Sequence, residues 1–117
     1  MHVLIVDDNL MTASALQHQL WQQGHTATTV ASAAAAVGAL RMQAPGLAIV
    51  NLTAREFDAL EAIRSLRNDT ARGQVRIIGF CGHTDQVRRT GALDAGADLV
   101  ITNGQALKKL HDVMHAR

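Results

Sequence analysis

Short, uninterrupted apolar runs separated by longer helical patterns are the feature that most restricts what this chain can fold into. Continuous apolar runs of this kind are typical of strands that are covered on both faces, as in a parallel sheet. A weaker run, rich in threonine, belongs to the same series. The runs occupy residues 3–6, 26–30, 47–50, 75–80 and 99–101. The sequence therefore predicts five strands of a mainly parallel sheet.

Helical patterns fill the intervals between these runs. Asn9 can cap a first helix that ends at Gly24, and Ser32 can cap a second helix that stops before Pro45. The expected inward positions of the five helices are Ala13, Leu16 and Leu20; Val37 and Leu40; Leu60, Ile63 and Leu66; Val87, Gly91 and Ala95; and Leu107, Leu110 and Met114. Because right-handed helical crossovers join parallel strands, this order predicts an α/β fold, a three-layer α/β/α sandwich forming a single domain over residues 1–117.

The composition argues against several classes of function. Eleven Lys and Arg against ten Asp and Glu give a net charge of +1, so no bulk charge draws the chain to nucleic acid or to a membrane. Aromatic residues make up only 3% of the chain, which argues against binding of bases by stacking. No apolar run approaches the ~20 residues of a membrane span. With a single Cys and no signal-peptide pattern, the expectation is a cytoplasmic protein.

Polar residues follow the predicted strands at the points where those strands end. Asp7 and Asp8 follow the first strand, Asn51 and Thr53 the third, Cys81 the fourth, and Asn103 the fifth. In open α/β sheets, ligands bind beyond the carboxyl ends of the strands. The sequence therefore predicts that these residues line one shallow crevice.

Several of these stretches resemble a known family. Residues 3–9, which end in Asp7, Asp8 and Asn9, are similar to the opening of the receiver domain of two-component response regulators. Residues 95–98 resemble the stretch before that domain's last strand, and residues 47–59 its third strand and following loop, with an acid at Asp58. The similarity covers essentially the whole chain. It implies a (βα)5 flavodoxin-like, doubly wound parallel sheet with strand order 2-1-3-4-5, for which a family member is a standard example.

The resemblance also implies a site that accepts a phosphoryl group from a histidine kinase with the help of Mg²⁺. The acid pair that helps to hold the metal is kept as Asp7 and Asp8. The acceptor Asp falls on Asn51, the hydroxyl residue after the fourth strand on Cys81, and the Lys after the fifth strand on Asn103. Most of the reactive groups that the family uses are therefore replaced.

These replacements predict a degenerate receiver, or pseudo-receiver, rather than an enzyme. Phosphoryl transfer needs an anionic oxygen nucleophile and a cation that stabilises the developing charge, and Asn51 and Asn103 supply neither. With two carboxylates left, Mg²⁺ binding by Asp7 and Asp8 is expected to be weak or absent, and no cofactor is required. A carboxylate and its lysine counter-ion are lost together, so the formal charge of the site is unchanged. Asn51 and Asn103 are therefore expected to hydrogen-bond where that ion pair would lie.

The expected function is phosphorylation-independent protein–protein interaction in two-component signalling. By resemblance, the face formed by the fourth helix, fifth strand and fifth helix would bind a signalling protein, a histidine kinase, an output protein or a second copy. Val100 falls on the family's aromatic switch position, so the usual coupling to that face is expected to be missing. Two alternatives remain open. One is a functional phosphoacceptor that uses a non-standard residue with Mg²⁺, and the other is a thiol- or metal-dependent enzyme built on Cys81, His83 and the acids.

Overall fold

The computed structural model describes residues 1–70 and 74–115, in which five parallel strands form one sheet. The strands are β1 His2–Val6, β2 Thr26–Val30, β3 Leu47–Asn51, β4 Arg76–Cys81 and β5 Leu99–Thr102. The helices are α1 Leu10–Gln22, α2 Ala33–Gln43, α3 Ala59–Asp69, α4 Gln86–Ala95, α5 Asn103–Lys108 and α6 Leu110–Met114. The sheet order is β2-β1-β3-β4-β5, which confirms the predicted flavodoxin-like sandwich.

The core consists of two apolar layers, one on each face of the sheet. Alternate residues of a strand point to opposite faces, so each central strand contributes to both layers. The strand residues that face α2, α3 and α4 are Leu4, Val6, Ala48, Val50, Ile77 and Cys81. Those that face α1, α5 and α6 are Val3, Ile5, Leu47, Ile49, Ile78 and Phe80. The near-continuous apolar runs of the sequence follow from this two-sided burial.

The predicted helix caps are present. The side chain of Asn9 accepts hydrogen bonds from the backbone N–H groups of Met11 and Thr12 at the start of α1. The hydroxyl of Ser32 accepts one from Ala35 at the start of α2. Gly24 follows the end of α1 with φ +80°, a left-handed conformation that favours glycine. At the two N-terminal caps, N–H donors that the helix itself cannot satisfy are paired locally, and at Gly24 the N–H bonds the Trp21 carbonyl at 3.0 Å.

The inward face of α4 differs from the prediction. Val87 is 84% exposed, and the buried residue of this helix is Ala92. Gly91 lies close against α3, since a Cβ atom there would be 3.1 Å from Leu60 Cδ1. The prediction took Val87 as inward because it is apolar, but Val87 lies five residues before the buried Ala92, about 140° away around the helix. In α2, similarly, Ala36 is fully buried, whereas Val37 is only half-buried.

The last helix is broken into two, α5 and α6, where a single helix was expected. The amide of Gln19 in α1 is inserted at the break: its Nε2 donates to the Ala106 carbonyl at 2.8 Å. Its Oε1 accepts from the Leu110 N–H at 3.2 Å. Ala106 and Leu110 are four residues apart, so Gln19 satisfies the two backbone groups that a continuous helix would have paired. Asn103 is consequently the first residue of a short helix, capped by Thr102.

The turn between α4 and β5 is fixed by an arginine from α3. Arg67 Nε donates to the Gly96 carbonyl at 2.9 Å, and its guanidinium pairs with Asp98 at 2.6 Å. Asp98 also accepts from the Ile77 N–H at 2.8 Å. Gly96 has φ +122°, and a Cβ atom there would lie 2.9 Å from the Arg67 side chain. The motif at residues 95–98 therefore holds β5 in register beside β4.

Candidate functional site

A cleft of about 640 Å³ opens beyond the carboxyl ends of β1 and β3, where the sequence placed a crevice. It lies between the start of α1 and the loop that joins β3 to α3. The residues that line it are Asp8, Asn9, Leu10, Met11, Asn51, Thr53, Arg55 and Glu56. Asp8, Asn51 and Thr53 thus meet as predicted, and Asp7 lies directly beneath them through its bond to Asn51.

Asp7 is a buried carboxylate, only 3% exposed, and both of its oxygens accept hydrogen bonds from the protein. Oδ1 accepts from the Asn9 N–H at 3.0 Å and from Asn51 Nδ2 at 2.9 Å. Oδ2 accepts from the hydroxyl of Thr12. An ionised group at this depth is stable only when such donors replace its water shell. Asp7 is therefore bonded to the protein and not to solvent, because its partners belong to α1, its cap and β3.

Asn51 is 4% exposed, and its amide can be oriented in only one way. Oδ1 accepts from the Thr53 N–H at 2.9 Å and from the Thr53 hydroxyl at 2.8 Å. A backbone N–H can only donate, so the amide oxygen must face Thr53 and the amide nitrogen must face Asp7. The result is a continuous hydrogen-bonded chain from Thr53 through Asn51 to Asp7.

Asp8 is half-buried and is held by the loop that follows β3. Its Oδ2 accepts from the Arg55 N–H at 2.7 Å and from the Glu56 N–H at 2.5 Å. These backbone donors lie far along the chain from Asp8, so the contact joins the β1 end to the β3–α3 loop. The donors to Asp7, by contrast, come partly from the start of α1, through the Asn9 N–H and the Thr12 hydroxyl.

Cys81 does not line the cleft, contrary to the prediction. It is the last residue of β4 and is fully buried in the layer that faces α2, α3 and α4. Burial, and secondarily the charge of Asp85, raise the pKa of its thiol. The neighbouring Phe80 occupies the opposite face, so the strand's alternation turns Cys81 towards the core. A neutral, inaccessible thiol is a poor nucleophile.

Asn103 is also outside the cleft. It is exposed at the first position of α5, because the capping box between Thr102 and Gln105 starts the helix there. Within residues 1–70 and 74–115, no hydrogen bond joins Asn103 to Asn51, whose amide is already engaged by Asp7 and Thr53. The expected bond between the two asparagines is therefore wrong.

The alternative metal site at Cys81 and His83 also fails on position. His83 is exposed, whereas Cys81 is buried. Across the described parts of the chain, no three His, Cys, Asp or Glu side chains lie close enough together to hold a metal ion. Nor does any helix of those parts have the length and apolar character that crossing a membrane requires.

Two residues near the cleft were missed by the sequence analysis. Thr12 supplies the hydroxyl that bonds Asp7; its position three residues after the Asn9 cap could have indicated that it turns back towards β1. Arg88 of α4 reaches the end of β3, where its Nε donates to the Leu52 carbonyl at 3.1 Å. Its guanidinium also pairs with Asp85 at 2.6 Å. Hydrogen bonds from the backbone N–H of Arg88 and then from its side chain lower the pKa of Asp85. No sequence pattern predicts the Leu52 contact.

Comparison with known proteins identifies the family. The sequence model of the response regulator receiver domain matches residues 3–115. The chain belongs to the response regulator receiver domain family. Receiver domains of this family interact with histidine kinases and output domains in two-component systems.

Individual relatives agree with this assignment. The TorCAD operon transcriptional regulatory protein TorR of Escherichia coli strain K12 is 30% identical over 109 residues, which cover 93% of this chain and 46% of TorR. The chain thus spans about half the length of that curated relative. The crystal structure of the receiver domain of TorR has a TM-score of 0.83 at 28% identity, with 97% of this chain and 92% of that one covered. A response regulator receiver protein from Pseudomonas putida gives 0.80 at 29% identity, covering 97% and 93%.

Proposed function

We propose that this receiver domain is a signalling module that works without phosphorylation of an aspartate. The observation that carries the proposal is the amide of Asn51, which donates to Asp7 at 2.9 Å and accepts twice from Thr53. Family resemblance puts the acceptor aspartate at this position. A carboxamide oxygen is neutral, and here it is also occupied by two donors, so it is a poor nucleophile for a phosphoryl group.

The same hydrogen bonds remove the need for a cation. Two carboxylates at the Asp7–Asn51 distance would repel each other and would require a positive charge between them. The Asn51 N–H group replaces that charge. Asp7 is satisfied by Asn9, Asn51 and Thr12, and the amide nitrogen, which cannot ligate Mg²⁺, faces the acids. The donor set therefore does not fit the hard, near-octahedral oxygen shell of Mg²⁺, and any binding through Asp8 is weak.

The partner in this proposal is another protein of a two-component pathway: a signalling protein, a histidine kinase or an output protein. We assign it to the face of α4, β5 and α5, where Val87 is 84% and Leu93 44% exposed. Val100 is buried within this face, and Arg89 donates to its carbonyl at 3.1 Å, which fastens α4 to β5. Because the side chain of Val100 is small and buried, we expect the face of α4, β5 and α5 to stay in one conformation. The domain then needs neither a cofactor nor a catalytic activity of its own.

The experiment is incubation of the protein with a small phosphodonor and Mg²⁺, followed by intact-mass measurement. We expect no phosphoryl adduct on the native chain. The runner-up function, a phosphoacceptor that uses a non-standard residue with Mg²⁺, predicts a mass gain of one phosphoryl group, for instance as a phosphate ester on the exposed Thr53. Recovery of such an adduct on the native protein would overturn the proposal.

A matched variant makes a negative result informative. Asn51→Asp restores a carboxylate in the same place, still within reach of the Thr53 donors. If this variant gains an adduct under conditions in which the native chain does not, the phosphodonor reaches the cleft and the amide is the reason for the native chain's inertness. Isothermal titration with Mg²⁺ should likewise show tighter binding by the variant than by the native protein.

A further inference from the structure

One side of the molecule carries almost no charged side chains. No Asp, Glu, Lys or Arg occurs between Asp8 and Arg41, a stretch that contains all of α1 and β2 and α2 as far as Leu40. Arg41, near the end of α2, is paired with Asp69 of α3 at 2.8 Å. These three elements are neighbours in space, because β2 is the edge strand of the sheet and the two helices flank it on opposite faces. An ordinary solvated helix face carries charges, as the rest of this chain does. A nearly neutral side on an otherwise charged protein indicates a surface that is buried in a complex.

The exposed groups on this side are those that interfaces favour. Trp21 is 74% and Met42 89% exposed, at the ends of α1 and α2. A groove of about 500 Å³ beside β2 is lined by Ser14, Gln17, His18, Trp21, His25, Thr26 and Ala27. Burial and the nearby N-terminal charge lower the pKa of His25, so its ring adds no charge at neutral pH. Interface cores are depleted in charge and enriched in aromatic residues and methionine.

The outer edge of β2 supplies the second observation. In the described part of the chain β2 pairs with β1 alone. The Thr26 N–H and the Val30 carbonyl are bonded on the β1 side. Alternate residues of a strand direct their backbone groups to opposite sides, so those of Ala27 and Thr29 point away from the sheet. Neither a proline nor a charge protects this edge, although exposed edges are usually protected in one of these ways.

We propose that two copies of this chain pair antiparallel through β2, with the two-fold axis at Thr28. In this register Ala27 of one copy lies opposite Thr29 of the other, and both pairs exchange their outward N–H and carbonyl groups. The two Thr28 residues form the central pair without backbone hydrogen bonds, and Thr–Thr pairs across strands are favourable. The two sheets become one continuous sheet, and its exposed edge is removed. This goes beyond the proposed function and does not depend on it.

A second copy fits this side better than a different protein does. The face offers little charge that would select a charged partner: the N-terminal amino group contacts His25 at 2.9 Å, and Arg41 is paired with Asp69. Two nearly neutral copies therefore approach each other with little repulsion. The strand is complementary to itself about Thr28, as a two-fold interface requires. Its hydroxyls are already held: His2 bonds Thr26 and Thr28 on one face, and Gln17 bonds Thr29 on the other. The polar groups of β2 that the pairing would satisfy are therefore the outward N–H and carbonyl groups of its backbone.

Sedimentation equilibrium over a concentration series tests this pairing. We expect the native chain to dimerise, and Thr29→Pro to raise the dimer dissociation constant about tenfold or more, because it removes both outward Thr29 N–H donors of the dimer. Thr29→Val is the matched control, since it loses the same hydroxyl but keeps the N–H, and it should dimerise like the native chain. Val87→Lys, on the exposed surface of α4, should also leave the dimer unchanged. A native chain that remains monomeric at millimolar concentration overturns the proposal, as does a dimer that Val87→Lys breaks and Thr29→Pro spares.

A cross-linking variant gives a result that does not depend on whether Thr29→Pro folds. Central pairs of this type place their Cα atoms about 4.5 Å apart, within the range that a disulfide spans. Thr28→Cys should therefore form a disulfide-linked dimer under mild oxidation, and the native Cys81 does not interfere because it is fully buried. Val87→Cys should cross-link far more slowly, although position 87 is 84% exposed and position 28 only partly exposed. Equal rates for the two variants would contradict pairing through β2.

Discussion

Replacing Asn51 by aspartate tests the physical account of the cleft most directly. The native amide nitrogen lies 2.9 Å from Asp7 Oδ1, and both residues are almost fully buried. Asn51→Asp turns this hydrogen bond into a contact between two carboxylate oxygens. The lost bond to a charged acceptor is worth about 1.5–3 kcal/mol. Repulsion between two unit charges about 3 Å apart adds up to about 5 kcal/mol at an effective dielectric constant of 20. We expect the free energy of unfolding to fall by about 2–5 kcal/mol at pH 7 without divalent cations.

The dependence of this loss on pH and Mg²⁺ follows from its electrostatic origin. The new carboxyl at position 51 has a pKa raised above its value of about 3.9 in the unfolded chain, so its penalty is full at high pH. The penalty shrinks as the pH falls through the raised pKa, and it is gone below the unfolded value. Mg²⁺ placed between the carboxylates should restore about 1.4 kcal/mol when its concentration is ten times the Kd.

Urea unfolding at pH 7 and pH 5, with and without Mg²⁺, measures all three effects. The double variant Asp7→Asn with Asn51→Asp is the control, because it again places one amide against one carboxylate and should recover part of the loss. A single variant as stable as the native chain at pH 7 in the absence of cations would refute the reasoning. A deficit that grows as the pH falls would refute it equally.

Three further predictions concern the surroundings of the cleft and the core. Thr12→Val should cost about 1.5–3 kcal/mol in urea unfolding through its lost bond to Asp7, whereas Thr12→Ser should cost much less. The Cys81 thiol should react with a disulfide reagent roughly a hundredfold more slowly in the native than in the unfolded chain. Because the pKa of the thiol is raised in the folded state, the unfolded chain loses its proton first, and the free energy of unfolding should decline above about pH 8.5. Gly96→Ala should lower the free energy of unfolding by about 1–3 kcal/mol, because residue 96 has a positive φ and lies against an arginine side chain. Gly38→Ala should raise it by about 0.5–1 kcal/mol, because an added methyl group at this position in α2 meets no other atom. Thermal unfolding of the two variants checks both predictions.

Local patterns in the sequence were sufficient for the fold. The two-sided burial of β1, β3 and β4 leaves continuous apolar runs, and caps such as Asn9 and Ser32 act on donors within their own first turn. Both effects depend only on residues a few positions apart. Strand ends therefore mark the crevice as well, and Asp7, Asp8, Asn51 and Thr53 were placed there correctly. That Asn51 stands at the position of the family's acceptor aspartate stays a prediction from the family resemblance.

Tertiary structure decided which way side chains point and which distant groups meet them. Cys81 is the last residue of a strand, where site residues are expected, yet the alternation of side chains along β4 directs it into the core. Gln19 breaks a helix more than eighty positions away in the chain by pairing with its backbone. The Asp8 carboxylate is held by backbone amides of the β3–α3 loop, 47 and 48 positions away in the chain. Such contacts depend on packing between elements, and residue spacing along one element contains no information about them.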